Sequence, residues 1–325
     1  MRHSRGFTLA EMAMAVAILS LLLFAAMVPF STQLDVRNIA DTRRSMDSIR
    51  EALLGFAQTN GRLPCPANGA TRAGSVDTTT WPTQIAAGAE QWDPVNNQCF
   101  TVLGVVPWTT LGTPETDSWG RRFTYRVAPA FADGLTKSTG LPLNTWQSWG
   151  PGVTTVPGAF TSQDTPAIRS PAPQSPTCPA TAGPLLPAPT QSSFALCSLG
   201  DAAVFTRTVS QATPIGSALP AVFISHGKNG YGAWQPSGIR VVLPAANTDE
   251  LANILGNTTA PTASGIAFVQ QAFFSRNPTP PASSCIDPAP GAGGTGSPLC
   301  EFDDFVVTIS ASTLISRMVS AGKLP

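Results

Sequence analysis

Hydrophobic side chains fill residues 7–30, where Glu11 is the one charge in 24 positions. A helix rises about 1.5 Å per residue, so this run reaches roughly 36 Å, enough to cross a bilayer. Past residue 30 the pattern turns amphipathic. Val36, Ile39, Met46, Ile49, Leu53 and Phe56 recur at threes, fours and a seven, which marks one helical face. Asp35, Arg37, Asp41, Arg43, Arg44, Asp47, Arg50 and Glu51 supply the polar positions. Asn60-Gly61 is a natural stop, and Pro64 forbids much extension. The pattern predicts a rod over residues 7–59, roughly 80 Å long, kinked at Pro29, which lacks an N–H. Its apolar stripe covers too few heptads for a coiled coil, so it is assigned to packing on the chain's own sheet.

After residue 61 the period changes. Phe123, Tyr125 and Val127 alternate with Arg122, Thr124 and Arg126, which predicts a strand with one apolar and one polar face. Further strands are predicted at 202–209, 220–225, 238–243 and 302–310. A short helix is predicted at 248–255, with Asn247 and Glu250 in N-cap and N3 positions and Gly256 beyond its end. Another runs through Leu314, Ile315 and Met318. Sequential strands with short turns favour an antiparallel sheet, and hence an α+β fold with the helix laid on the sheet. Residues 150–190 hold ten prolines and only Asp164 and Arg169 as charges. Residues 277–300 are similarly rich in Pro and Gly. Both are predicted to be surface insertions, because neither can bury a core.

Composition narrows the chemistry. Lys plus Arg and Asp plus Glu number 19 each, for a net charge of zero, which argues against a nucleic-acid partner held by bulk electrostatics. Two histidines in 325 residues argue against a multi-histidine metal site. The six cysteines contain no C-x-x-C pair. That disfavours a zinc knuckle and suits disulfides in an oxidising compartment. Sequence cannot choose the pairing. The sequential set Cys65–Cys99, Cys178–Cys197 and Cys285–Cys300 closes the shortest loops.

Residues 1–6 are short and basic, which places them on the cytoplasmic side and the bulk of the chain outside. A cleavable secretory signal ending near Ala25-Ala26-Met27, or a plain anchor, leaves Glu11 unexplained, since a carboxylate in hydrocarbon costs roughly 2.5–3.5 kcal/mol near the bilayer centre. The run Gly6-Phe7-Thr8-Leu9-Ala10-Glu11 resembles the G-F-T-L-x-E signal of type IV pilins and type II secretion pseudopilins. The resemblance implies cleavage after Gly6 by a prepilin peptidase and N-methylation of Phe7. It also implies that Glu11 pairs with the new α-amino group of a neighbouring subunit. It further implies a leader at 1–6, a membrane-spanning half-helix at 7–30, an exposed half-helix at 31–60 and a periplasmic or extracellular head at 61–325. The implied partners are other pilin or pseudopilin subunits, the peptidase, an inner-membrane assembly platform and lipid. The implied location is the bacterial inner membrane, single-pass, and then the filament. The turn Asp117-Ser118-Trp119-Gly120, with Phe123 and Tyr125 after it, is similar to the D-P-W-G-x-x-Y-x-Y segment of major pseudopilins, with Ser118 in place of Pro and Phe123 in place of Tyr. A head of this size points to a minor, structural, non-enzymatic subunit, most simply of a secretion pseudopilus. The alternatives are an adhesive or DNA-capturing minor pilin, or a membrane-anchored hydrolase built on Ser225 and His226.

The remaining motifs are weaker. Ser225-His226-Gly227-Lys228 fits S-x-x-K, but Asn229-Gly230 makes a turn where that motif needs a helix. Gly291 to Gly296 spells G-x-G-x-x-G without the strand and helix such a site needs. No catalytic residue is assigned. Asp303 and Asp304, near the turn Gly227–Gly232, can offer oxygen ligands to calcium, loosely like the calcium loop of major pseudopilins. The competing reading is a carboxylate bonded to turn N–H groups. On an extended strand the two side chains point to opposite faces, so one alone is predicted to reach the turn.

Overall fold

In the computed structural model, helix α1 (Leu9–Asn60) is continuous over 52 residues. The description covers residues 8–78, 84–94, 98–132, 194, 200–207, 212–242, 247–255, 271–282, 284–287 and 298–324, without the side chains of 22–32, 98, 130 and 255. Gly61 ends α1 in the left-handed region at φ 73°, donating its N–H to the Ala57 carbonyl, the conformation glycine adopts at least cost. From Met46 onward one face of α1 is buried. Met46, Ile49, Leu53, Leu54 and Ala57 are at most 2% exposed. Val36, on the same predicted stripe, is 63% exposed, where the head reaches the rod through the Lys228–Asp35 ion pair and not through its apolar core.

Short ribbons follow α1: β1 (Val76–Asp77) with β2 (Ile85–Ala86), and β3 (Trp92–Asp93) with β4 (Gln98–Cys99). Next come β5 (Leu103–Val105), α2 (Trp108–Leu111), β6 (Thr124–Val127), α3 (Pro129–Ala132), β7 (Ala202–Arg207), β8 (Ala212–Leu219) and β9 (Ala221–Ser225). The last elements are α4 (Thr248–Leu255), β10 (Gln271–Phe274), β11 (Phe305–Ile309) and α5 (Ala311–Ser320). The main sheet is antiparallel in the order β11-β9-β6-β5. Its register sets Tyr125 and Val307 opposite Phe223. These residues belong to the face that meets α1 and the Leu314–Met318 side of α5 in one core.

The far face of this sheet departs from the sequence expectation. Arg122, Thr124 and Arg126 alternate with the apolar residues as predicted, yet all three are buried. A second sheet, ordered β10-β7-β8, lies across Thr124 and Arg126, whereas Arg122 is enclosed by the Gly69–Thr71 loop, Trp108 and Glu115. Ala202, Val204, Leu219 and Phe273 pack on Val222, Ile224 and Val306 of the main sheet. Within the second sheet, β10 runs parallel to β7, so the chain is not purely antiparallel. Its outer face, with Ala203, Phe205, Ala272 and Phe274, is covered by Ala252 of α4 and by Phe302. The layers therefore run α1 with α5, main sheet, second sheet, α4. Buried polar groups need partners. Arg126 pairs with Asp201. Arg122 pairs with Glu115 at 2.7 Å, donates to the carbonyls of Gly69 and Thr71, and lies under the Trp108 ring.

Three further expectations are corrected or completed. The predicted strand at 238–243 folds back on 232–235 instead, with Gln235 donating to the Ile239 carbonyl and Val241 to the Ala233 carbonyl. Ile239 and Val242 are 64% and 84% exposed, so these apolar residues find no core to join. The disulfides Cys65–Cys99 and Cys285–Cys300 are formed. Cys178, Cys197 and the insertion at 150–190 lie outside the described residues. The segment 277–300 is not only a surface excursion, since Asp287 and Cys300 are buried. Asp287 holds Arg276 at 3.3 Å, and Arg276 pairs with Asp249 at 3.0 Å. Among the described residues, no helix is long and apolar enough to cross a membrane; Phe7 and the side chains of 22–30, part of the expected span, are outside the description.

The two ends of the apolar stripe separate under mutation. Leu53→Ala lowers the unfolding free energy of the detergent-solubilised chain by about 2–5 kcal/mol, whereas Val36→Ala changes it by less than about 0.5 kcal/mol, both read by chemical denaturation.

Candidate functional site: an uncovered helix and an acidic cluster

The first candidate is the start of α1. Thr8 is its N-cap: the Thr8 hydroxyl oxygen accepts from the Glu11 N–H at 3.3 Å, and Glu11 Oε2 accepts from the Thr8 N–H and hydroxyl, each at 2.9 Å. This is a capping box, in which two helix-terminal donors are satisfied reciprocally. Glu11 therefore has an intramolecular role beside the intersubunit one that the resemblance implies. Both of its bonds go to Oε2, so Oε1 keeps its acceptor capacity. The S/T-x-x-E spacing was visible in the sequence as Thr8 to Glu11. The residues after it are uncovered: Leu9 is 90% exposed, and Met12, Met14, Val16, Ile18, Leu19 and Leu21 are all more than half exposed. An apolar surface of this extent marks a protein or membrane interaction site. Gly6 and Phe7, the expected processing positions, lie outside the described residues.

The head grips the rest of α1 through the aromatic turn. Asp117 Oδ1 accepts from the N–H groups of Trp119 and Arg121, and Asp117 Oδ2 accepts from the Ser225 hydroxyl at 2.7 Å. Burial pushes the Asp117 carboxyl up, and these bonds oppose the shift. Trp119 stacks on Phe305 of β11, and the Ser118 N–H donates to the hydroxyl of Thr42 on α1. The turn thus joins helix and sheet.

Ser225 and His226 do not meet as a catalytic pair. Ser225 is bound to Asp117, while His226 Nε2 lies 2.7 Å from the Thr124 hydroxyl and Nδ1 lies 3.4 Å from Asp304 Oδ1. Both residues are fully buried. Lys228 points the other way and pairs with Asp35 of α1 at 2.7 Å. The S-x-x-K spacing therefore belongs to a turn whose members face three different neighbours.

The second candidate is an acidic cluster. Residues 303 and 304 precede β11, so they need not alternate, and both carboxylates converge, contrary to the expectation that one alone reaches the turn. Glu250 of α4 joins them, with one oxygen from each of the three within 4.8 Å of the others. Asp303 Oδ2 accepts from the Asn229 N–H at 2.8 Å, which is the turn-bonded arrangement set against calcium from sequence. Gly227 permits this approach: at φ +55° it brings backbone so close that a Cβ would lie 2.4 Å from the Asp303 carbonyl oxygen. Glu250 accepts from the side-chain amides of Asn229 and Asn247, and Asp304 Oδ2 accepts from that of Asn253. Asn247 thus donates to Glu250 beside its place at the helix start. Burial, then the Asp304 charge, pushes the Glu250 carboxyl up to about 8. Burial also pushes Asp303 up to about 6, against the pull of the Asn229 N–H. Sequence reading placed Glu250 only as a helix N3 residue. Nothing local ties it to Asp303, because the fold alone brings α4 to the entry of β11.

Residues 1–27 match the family model described as the prokaryotic N-terminal methylation motif, the prepilin signal of type IV pilins and pseudopilins. No curated protein and no solved structure matches the chain.

The raised Glu250 carboxyl has a signed consequence. A carboxyl whose folded pKa lies above its unfolded value favours folding most below the unfolded value and loses that contribution as pH rises through the folded one. In EDTA, Glu250→Gln therefore gains thermal stability relative to the unmutated chain as pH rises from about 5 to about 8.5. Melting curves across that range check it; a constant or shrinking difference contradicts the assignment.

Proposed function

We propose that this chain, which opens on a prepilin-type methylation motif, is a minor structural subunit of a type IV pilus-like filament, most closely a type II secretion pseudopilus. The observation that carries the reading is the motif running directly into a helix whose apolar residues 9–21 nothing in the described chain covers. In the proposed cycle, residues 7–30 anchor the chain in the inner membrane with the head outside. Prepilin peptidase cuts after Gly6 and exposes an α-amino group on Phe7. On extraction from the membrane, neighbouring helices replace lipid around the Leu9–Leu21 side chains, so this apolar surface is not left to water, and helix–helix packing takes the place of the lipid contacts.

Glu11 supplies register. Its Oε2 is occupied by the N-cap, which leaves Oε1 to accept from the terminal amine of an adjoining subunit in this scheme. A buried carboxylate is stable only when paired, so a helix stacked one step out of place leaves it uncompensated. Retaining Glu11 argues against a subunit that sits solely at the leading tip. No catalytic step is assigned to the chain. The head's role is to hold the rod, through the Asp117 turn and the Met46–Leu53 face, and to present its outer layers at the filament surface.

N-terminal sequencing and mass spectrometry of the native product read N-methylated Phe7 in the proposed scheme, and Gly6→Ala retains the leader. A product that starts at Met1 or near residue 27, or a Gly6→Ala chain cut normally, overturns it. Glu11→Ala is processed and membrane-bound but enters the sheared filament fraction at least about tenfold less, equivalent to the loss of roughly 1.4 kcal/mol per subunit contact; normal entry removes the pairing role.

A further inference from the structure

The main sheet ends in two edge strands, β5 and β11, and the chain treats them differently. Val105 of β5 exchanges both backbone bonds with Ala67. The Thr101 hydroxyl accepts from the Leu103 N–H and donates to the Leu103 carbonyl. The second sheet is guarded too. The Asn253 side-chain amide takes both the N–H and the carbonyl of Phe274 on β10. Strand β8 carries Pro214, which has no N–H to offer. On β11 no such device is present among the described residues. Ala128 donates to the Pro220 carbonyl. Alternation along an antiparallel ladder then turns Val222 and Ile224 to β6, and Ala221, Phe223 and Ser225 to β11. Their partners Ile309, Val307 and Phe305 face inward. Val306 and Thr308 therefore direct their N–H and C=O groups out of the sheet, and among the described residues nothing bonds to them.

The space beside β11 has the outline of a further strand. A cavity of about 420 Å³ lies there, between Arg43, Met46 and Asp47 of α1 on one side and residues 275–278 on the other. The helix layer and the second-sheet layer thus flank this slot as they flank the strands already in the sheet. Arg43 rests on the Phe305 ring. Arg43 and Asp47 are both exposed and form no ion pair among the described residues. Four residues of helix rise about 6 Å, close to the roughly 6.8 Å between alternate residues of a strand. A strand with an acidic and a basic residue two positions apart therefore meets both charges at once.

We propose that the free edge of β11 is a docking site for an extended segment of a different polypeptide, which joins the main sheet beyond β11. Backbone bonds to Val306 and Thr308 hold the segment. An acidic and a basic side chain two positions apart, facing Arg43 and Asp47, set its register. A second copy does not supply this strand. Its β11 reads Phe-Val-Val-Thr-Ile and brings no charge to Arg43 and Asp47, and its other sheet edges carry the guards described above. The inference goes beyond the filament reading and does not rest on it, because it concerns the head alone.

The test uses the full-length chain in detergent and a synthetic peptide in which an aspartate and a lysine, two positions apart, alternate with valines. Hydrogen exchange is read at single amides. In the free chain, Val306 and Thr308 exchange at least about tenfold faster than Phe305, Val307 and Ile309, and millimolar peptide slows them by at least about tenfold. Two further peptides carry N-methyl groups on one or the other alternate set of residues. One of them loses the protection and the other keeps it, because a strand bonds through one edge only. Asp47→Arg, on an exposed position that leaves the fold intact, weakens the original peptide by about two- to fivefold and favours one in which the lysine is replaced by aspartate. No protection by millimolar peptide, or equal protection by both N-methylated peptides, overturns the proposal. Protection that grows with chain concentration in the absence of peptide also overturns it, because a second copy then fills the edge.

Discussion

Met46, Ile49 and Leu53 expose almost nothing, while Leu9, Met14 and Leu21 on the same helix are mostly bare. That division of one rod into a covered and an uncovered part is the constraint on which the rest of the molecule depends. The covered part needs a flat apolar partner, which the α1-facing side of the main sheet provides. Among the described residues nothing covers the other part, which lipid or other helices can satisfy. A helix with its apolar side left to water is a costly object, and an uncovered apolar surface of this extent marks an interaction site.

The head solves a different problem. A sheet that packs on a helix with one face normally leaves its other face wet and polar. Here that face carries Arg126, Thr124 and His226, yet it is dry, because β7, β8 and β10 lie across it. Burying those groups requires partners: Asp201 for Arg126, the Thr124 hydroxyl for His226. The same need recurs one layer further out. Arg207 and Arg276 flank Asp249, and Asp287 completes the set next to the Cys285–Cys300 bridge. Several of the chain's charges therefore sit at the seams between layers, where loss of one partner leaves the other buried and unpaired.

Local patterns were legible wherever one element made its own case. Period-3.6 spacing and Asn60-Gly61 located the helix and its end. Alternation located β6, and α4 lies where its cap residues put it. The Thr8-to-Glu11 capping box is equally local, although from sequence Glu11 was assigned only to pairing between subunits. Misreadings arose where a neighbour decides the outcome. Residues 238–242 have strand composition, but they bond back onto 232–235 and join neither sheet. Arg122 and Arg126 look like a solvated face until the Gly69–Thr71 loop and Trp108 close over the one and the second sheet over the other. Val36 belongs to the helical stripe by period and to solvent by position.

What the sequence determined by itself is the processing signal, the rod and the alternating strands, because helix spacing, strand alternation and turn residues act over a few positions of chain. What only the tertiary structure decided is the layering of two sheets, the parallel partnership of β7 with β10, and the meeting of Glu250 with Asp303 and Asp304 across more than fifty residues. Those contacts are set by which surfaces remain to be buried once the first core has formed, and no local pattern records that.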